Sequence, residues 1–261
     1  MNKSDKNGKQ KTSIPALDAN HPYSSRLSSR SALYTDLSLL LESQSEALES
    51  DRYRRLVVEE NLLSRQSFSS RKKIWEELKS RYILDVKNPL FESFWTEWAH
   101  CKTDPEQALT AYCLLSLNDR LVADLSQNLL YPLLCKSPVE MNVNHILAFM
   151  KHSEKKHPEI SKWTEKTKLK IAQHYLASIR DFGLARGKYK KTTIRPALYG
   201  APVRLLIRAL RLNEIRNSEI IKSSVFRLLA IDPGGVIDAL AELNQKDDIL
   251  FKIQGDVIEL T

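Results

Sequence analysis

Glycine is scarce in this chain, at seven of 261 residues. A sandwich or barrel spends glycines on its many turns, so this scarcity, with long Leu/Ala/Glu/Lys-rich stretches, favours an α-rich fold. Cysteine is scarcer still: Cys101, Cys113 and Cys135 form an odd set with no Cys-x-x-Cys spacing. No apolar signal core occurs in residues 1–31, so free, buried thiols in a reducing cytoplasm are expected. The longest apolar runs, such as residues 146–150, fall far short of the roughly 18 residues that span a bilayer. A soluble chain without membrane contact is therefore expected. Catalytic vocabulary is missing too: there is no Gly-Lys-Ser/Thr phosphate loop, dinucleotide fingerprint or nucleophile elbow. Asp232-Pro233-Gly234-Gly235 has no strand before it and no lysine after it, which makes it a helix-start turn. His145, His152, His157 and His174 lack cysteine or carboxylate partners at ligand spacing. These absences predict a protein with no catalytic residues, no metal and no cofactor.

What is abundant is unevenly placed positive charge. The net charge is +8, yet residues 151–195 alone hold 13 Lys/Arg against four Asp/Glu. The remainder is slightly acidic overall. Blocks at 1–31 and 64–87 are each +4, while 32–63, 88–150 and 223–261 are each −4. Separated basic blocks on an acidic body predict discrete positive surfaces, and nucleic acid is the partner such surfaces suit.

The organisation expected is mainly α: a helical bundle with helix-turn-helix or winged-helix-like elements and short β-hairpins. Residues 1–31, polar and without hydrophobic pattern, are expected to form a disordered basic arm. Residues 32–135 are expected to be a helical domain. Within it Phe91, Phe94, Trp95 and Trp98 sit at the helical spacing of core residues. Residues 136–222 form a basic winged-helix-like region, and 223–261 an acidic module of two short helices and a hairpin. Its acidic wing would repel phosphates, so protein contact suits it better.

The stronger DNA-reading candidate is a helix over 164–182 followed by a hairpin over 184–195. Leu169, Ala172, Tyr175, Leu176 and Ile179 recur at helical spacing and are expected to face the core. That leaves Lys166, Lys170 and Gln173 outside, with Lys162 and Thr164 at the helix start, where free N–H groups favour a phosphate. Lysine and glutamine one or two turns on can reach base edges in a major groove. Arg186, Lys188, Lys190 and Lys191 at the hairpin tip are expected to be solvated or on phosphate. The weaker candidate spans 53–82. There Arg65 lies in a polar turn, Ser69 or Ser70 is expected to cap the next helix, and Arg71, Lys72 and Lys79 lie outside an Ile74, Leu78, Tyr82 stripe. A further row, Arg204, Arg208 and Arg211, shares one helix face and either extends the basic footprint or pairs with the acidic C-terminal module.

These residues carry a resemblance. Leu33-Tyr34, Asn61-Leu62-Leu63-Ser64-Arg65-Gln66-Ser67, Ser70-Arg71-Lys72-Lys73-Ile74 and Arg81-Tyr82 resemble the BrxA proteins of bacteriophage-exclusion (BREX) systems. So do Trp163-Thr164-Glu165-Lys166-Thr167, Phe182-Gly183-Leu184 and Ile194-Arg195-Pro196-Ala197-Leu198. The similarity runs from about Leu33 to the C-terminus. It implies an all-helical, non-enzymatic DNA-binding component of a phage-defence operon, with a methyltransferase, a large ATPase and a phosphatase-like protein as candidate partners. Double-stranded DNA is thus the expected ligand. The alternative is an assembly scaffold whose basic surface docks an acidic partner subunit.

Overall fold

The computed structural model describes residues 14–188, 190–254 and 257–260. It is mainly helical. The first helices are α1 (Tyr34–Glu42), α2 (Ser50–Arg54, running on as a wider π-turn to Glu59), α3 (Phe68–Tyr82), α4 (Pro89–Ala99) and α5 (Asp104–Asn118). Side chains start them where the sequence changes: Asn88 caps α4 ahead of Pro89, and Thr103 caps α5 ahead of Pro105, placing proline where its missing N–H costs nothing. The α3 cap is Ser67, which accepts from the Ser70 N–H, and not Ser69 or Ser70 as expected.

Helix α5 is buried on nearly every side from Ala108 to Leu117, as a helix apolar all round must be. Around it pack α3, α4 and α6 (Arg120–Asp124). Phe91, Phe94 and Trp98 are buried against it, Trp95 partly so. A π-turn over Leu125–Leu130 leads into α7 (Tyr131–Cys135), where Pro132 lacks a donor for a regular turn. Next come β1 (Glu140–Met141), α8 (Val143–Ser153), α9 (Glu165–Asp181), β2 (Ala185–Arg186) and β3 (Lys191–Thr193). Helix α10 (Gly200–Leu212) lies on α4 and α5. The chain ends in α11 (Asn217–Ile220), α12 (Val236–Gln245) and the hairpin β4 (Phe251–Gln254) and β5 (Val257–Leu260). Asp232 does open the α12 segment, its carboxylate accepting from Gly234 N–H at 2.6 Å.

The expected arm over 1–31 needs correction. Residues 1–13 lie outside the described residues, but from Ile14 onward the chain is a packed strap. Ile14, Ala16, Tyr23 and Leu27 are buried in the common core, and polar groups fix the segment. Tyr23 Oη donates to Asp124 at 2.8 Å, and Ser24 Oγ to Asp119 at 2.7 Å. The Ala32 N–H donates to Ser178 Oγ of α9 at 2.9 Å, while Ala32 O accepts from Tyr82 Oη of α3 at 2.7 Å. The strap therefore fastens α3 to α9. One thiol also departs from expectation: Cys113 is buried and Cys101 partly so, but Cys135 is exposed.

Arg81, 2 % exposed, anchors the strap from α3. Its Nη2 donates to Arg30 O at 3.0 Å and Arg26 O at 3.2 Å, and Nη1 pairs with Glu77. Burial opposes ionisation of Glu77, but the Ser29 hydroxyl and Arg81 outweigh it and hold the carboxyl below its usual range. A carboxyl lowered on folding adds stability that is complete above the unfolded value, about 4.3, and is lost as pH falls through the folded one. Denaturant melts of wild type and Glu77→Gln should differ at pH 7, with the gap closing as pH falls below about 4. A pH-independent gap would contradict this role.

No helix among the described residues is long and apolar enough to cross a membrane.

Candidate nucleic-acid interface

Three strands and two helices build the site. β3 is the central strand of a sheet in the order β1-β3-β2, antiparallel on both sides. Glu140 is opposite Thr192 and Met141 opposite Lys191, while Ala185 faces Thr193. Thr193 staples the chain crossing: its Oγ1 accepts from Val139 N–H at 3.0 Å, and its carbonyl accepts from Ser137 Oγ at 2.6 Å. Strand β1 was absent from the sequence expectation, since two residues carry no readable alternation. Chain order is thus strand, α8, α9, then a hairpin whose outer edge is closed by the first strand.

Asn142 and His145 cap α8 reciprocally, with Asn142 N–H donating to His145 Nδ1 at 3.1 Å. Thr164 caps α9, its Oγ1 accepting from Thr167 N–H at 3.2 Å. The hydroxyl is therefore committed to the helix. The inner face of α9 is Ile171, Ala172, Tyr175, Leu176, Ser178 and Ile179. Leu169, expected inside, is 40 % exposed. Ile171 takes the core position, because the apolar stripe runs through 171, 175 and 179 and leaves 169 on its flank. Lys162, Lys166, Lys170 and Gln173 are exposed and without partners among the described residues. Lys166, Leu169, Lys170 and Gln173 share one face by helical spacing. Lys168 is tied down instead, to Glu154 at 3.0 Å and Glu165 at 3.2 Å.

At the hairpin, Gly187 has φ 102°, and a Cβ there would lie 2.1 Å from Lys190 O. Only glycine fits that turn. Arg186, Lys188 and Lys190 are exposed. Lys190 also lies 3.6 Å from Glu140, a surface pair of little worth. Lys191 does not join them. It is 5 % exposed, and its ammonium donates to Gly187 O and Lys188 O, both at 2.6 Å. Burial, then the nearby Arg180 charge, hold it below the usual lysine range. The expectation of a fully solvated tip fails here because converging turn carbonyls supply internal acceptors.

The weaker element divides in the same way. Arg65 pairs with Asp36, and its N–H donates to Asn61 Oδ1 at 2.8 Å. Arg71 Nη1 donates to Val58 O at 2.9 Å, satisfying the end of the preceding helix, and its guanidinium sits 5.5 Å over Phe68. Both arginines are structural in this arrangement. Lys72 and Lys79 stay exposed, at 4.6 Å and 5.8 Å over Phe68 and Trp75. The expected inner stripe of Ile74, Leu78 and Tyr82 is buried.

Of the α10 arginines, Arg204 and Arg211 do reach the C-terminal segment, through the Asp248 and Leu260 carbonyls. Both Arg204 and Arg208 hold Glu97 of α4. No group of three or more His, Cys, Asp or Glu that could hold a metal occurs among the described residues.

The arrangement defines a mainly helical protein with a basic helix face, unpartnered among the described residues, beside a short basic hairpin. The BrxA family model matches residues 21–210, more than half of the chain, and the chain belongs to that family. Membership implies a role in BREX phage defence. The matched stretch begins within the strap, upstream of Leu33, and ends in α10, so the acidic C-terminal segment lies outside it. A comparison with curated proteins returns no match.

Proposed function

We propose that this BrxA-family chain is a non-enzymatic, cytoplasmic component of a BREX system that binds duplex DNA. In this reading β1, α8, α9 and the β2–β3 hairpin act as a winged helix-turn-helix. Helix α9 enters the major groove and the hairpin rests on a neighbouring phosphate backbone. The observation that carries the reading is the outward row on α9. Lys166, Lys170 and Gln173 are exposed and have no partner among the described residues, and the same holds for the neighbouring Lys162.

Each residue then has a chemical task. Lys162 and Lys166 sit where the helix start and its unpaired N–H groups favour a phosphate. Lys170 and Gln173, one to two turns on, reach base edges. Leu169 between them offers an apolar contact of the kind that meets a thymine methyl. Arg186, Lys188 and Lys190 serve as phosphate contacts of the wing, and Lys72 and Lys79 of α3 as flanking ones. Methyltransferase, ATPase and phosphatase-like components of the operon are the proposed protein partners.

The competing scaffold reading places an acidic partner subunit on the same face. Affinity capture with and without nuclease, alongside duplex titration at low salt, separates the two. Expected is duplex binding, with capture of the other defence components falling once nuclease removes DNA. Capture that survives nuclease, with no duplex binding even at low salt, would replace DNA binding with the scaffold.

A further inference from the structure

Away from α9, a groove of about 390 Å³ is lined by Ser93 of α4 and by Arg204, Ile207, Arg208, Arg211 and Leu212 of α10. That volume falls within the range of roughly 300–1,000 Å³ typical of small-molecule sites. Three guanidiniums line it, and one buried carboxylate answers them. Glu97 accepts from Arg204 Nε at 2.5 Å and from Arg208 Nε at 2.7 Å. The other acceptors are neutral: Asp248 O for Arg204, and Leu260 O and Asn217 Oδ1 for Arg211. Among the described residues one carboxylate pairs with these three guanidiniums, which leaves a local surplus of positive charge.

Holding α10 against α4 does not require this surplus, since one arginine on Glu97 would complete the pair. Arg208 is the telling residue. Its side chain is 46 % exposed, and beyond Nε its guanidinium donors have no partner among the described residues. Burial, followed by the Arg208 charge, holds Arg211 below its usual range, so the two cations feel each other. Like charges in a concave, low-dielectric wall concentrate anions, and the guanidinium fork matches phosphate oxygens two at a time. Ser93 spends its hydroxyl proton on Pro89 O at 2.8 Å, so recognition falls to the arginines.

We propose that this groove binds a small phosphorylated ligand. A phosphate monoester, carrying about −1.5 to −2 at neutral pH, sits on Arg208 and Arg211 and offsets the surplus. The organic part lies on the apolar wall of Ile207 and Leu212. The proposal is independent of DNA binding by α9, because α10 packs on α4 and α5 while α9 packs on α8, the Arg26–Ser28 turn and β2.

Isothermal titration of the full chain with adenosine monophosphate, adenosine, inorganic phosphate and a short duplex without terminal phosphates tests it. Expected is binding of the monophosphate, weaker binding of inorganic phosphate and none of adenosine. Arg208→Ala should weaken the monophosphate about tenfold or more, the effect of losing charge-assisted hydrogen bonds. Arg208→Gln, which keeps a donor for Glu97, should do likewise with an unchanged Tm. Lys166→Gln/Lys170→Gln should leave monophosphate binding intact. No binding at millimolar monophosphate, or equal affinity in the Arg208 variants, would overturn the proposal. So would a duplex that competes for the groove and weakens equally in the Arg208 variants, since the phosphates would then be those of DNA.

Discussion

Replacing Lys162, Lys166 and Lys170 together with glutamine is expected to weaken duplex binding roughly ten- to hundredfold. Its Tm should stay at the wild-type value. The two halves of this result come from one observation. These ammonium groups are exposed and form no ion pair or hydrogen bond among the described residues, so removing them costs the fold nothing specific. Glutamine is a good helix former, which keeps α9 intact. The same side chains are the ones placed to meet phosphates and base edges, so their loss falls on affinity alone. Fluorescence anisotropy on a labelled duplex reads the affinity, and a thermal melt reads the fold. Lys191 is deliberately left out of the set, because its ammonium closes the hairpin turn and its loss would confuse folding with binding. An unaltered affinity would remove α9 from the interface.

Arg81→Ala is expected to give the largest loss of stability, about 3–5 kcal/mol, the range for removing one member of a buried ion pair. The side chain is 2 % exposed, so water cannot readily replace what is lost. Glu77 would be left partly buried without its partner, and the Arg26 and Arg30 carbonyls would lose a donor each. Arg81→Lys should recover only part, since an ammonium cannot span both the strap and Glu77 as the planar guanidinium does. The consequence reaches the proposed interface. The strap held by Arg81 also gives Leu27 O to His174 and Ala32 N–H to Ser178, both on α9. Hydrogen exchange should accordingly quicken in residues 14–32 and in the strap-facing turns of α9. Denaturant unfolding checks the magnitude, and a loss below about 1 kcal/mol would mean the strap is not held from α3.

Local signals in the sequence were enough wherever a structural decision is made locally. Thr164 marks the start of α9, expected over 164–182 and found at Glu165–Asp181. The Asp232-Pro233 turn restarts a helix as its residues dictate, and the stripe of Ile74, Leu78 and Tyr82 is inside. Features fixed by distant partners were not legible. Nothing in the composition of residues 14–31 announces a strap, because its apolar residues are sparse and its acceptors, Asp119, Asp124 and Ser178, lie far along the chain. Arg65 and Arg71 look like a basic surface until Asp36 and the Val58 carbonyl are brought beside them.

Charge counting failed in a similar way at Lys191. A run of lysines in a short loop treats every ammonium as solvated, whereas the turn aims two carbonyls inward and one lysine answers them. Of the stripe expected on α9, Ala172, Tyr175, Leu176 and Ile179 are buried, and Leu169 alone lies outside, just ahead of the buried run that begins at Ile171. It stands amid the lysines, a feature that charge counting alone does not find.

The most direct test of the central claim is the salt dependence of duplex affinity for the wild type and the Lys162/Lys166/Lys170→Gln variant. With Lys162 and Lys166 each neutralising a phosphate and Lys170 on a base edge, the wild-type log–log slope should be steeper than the variant's by about 1.8. Parallel lines would contradict the account, because the outward face of α9 would then make no phosphate contact at all.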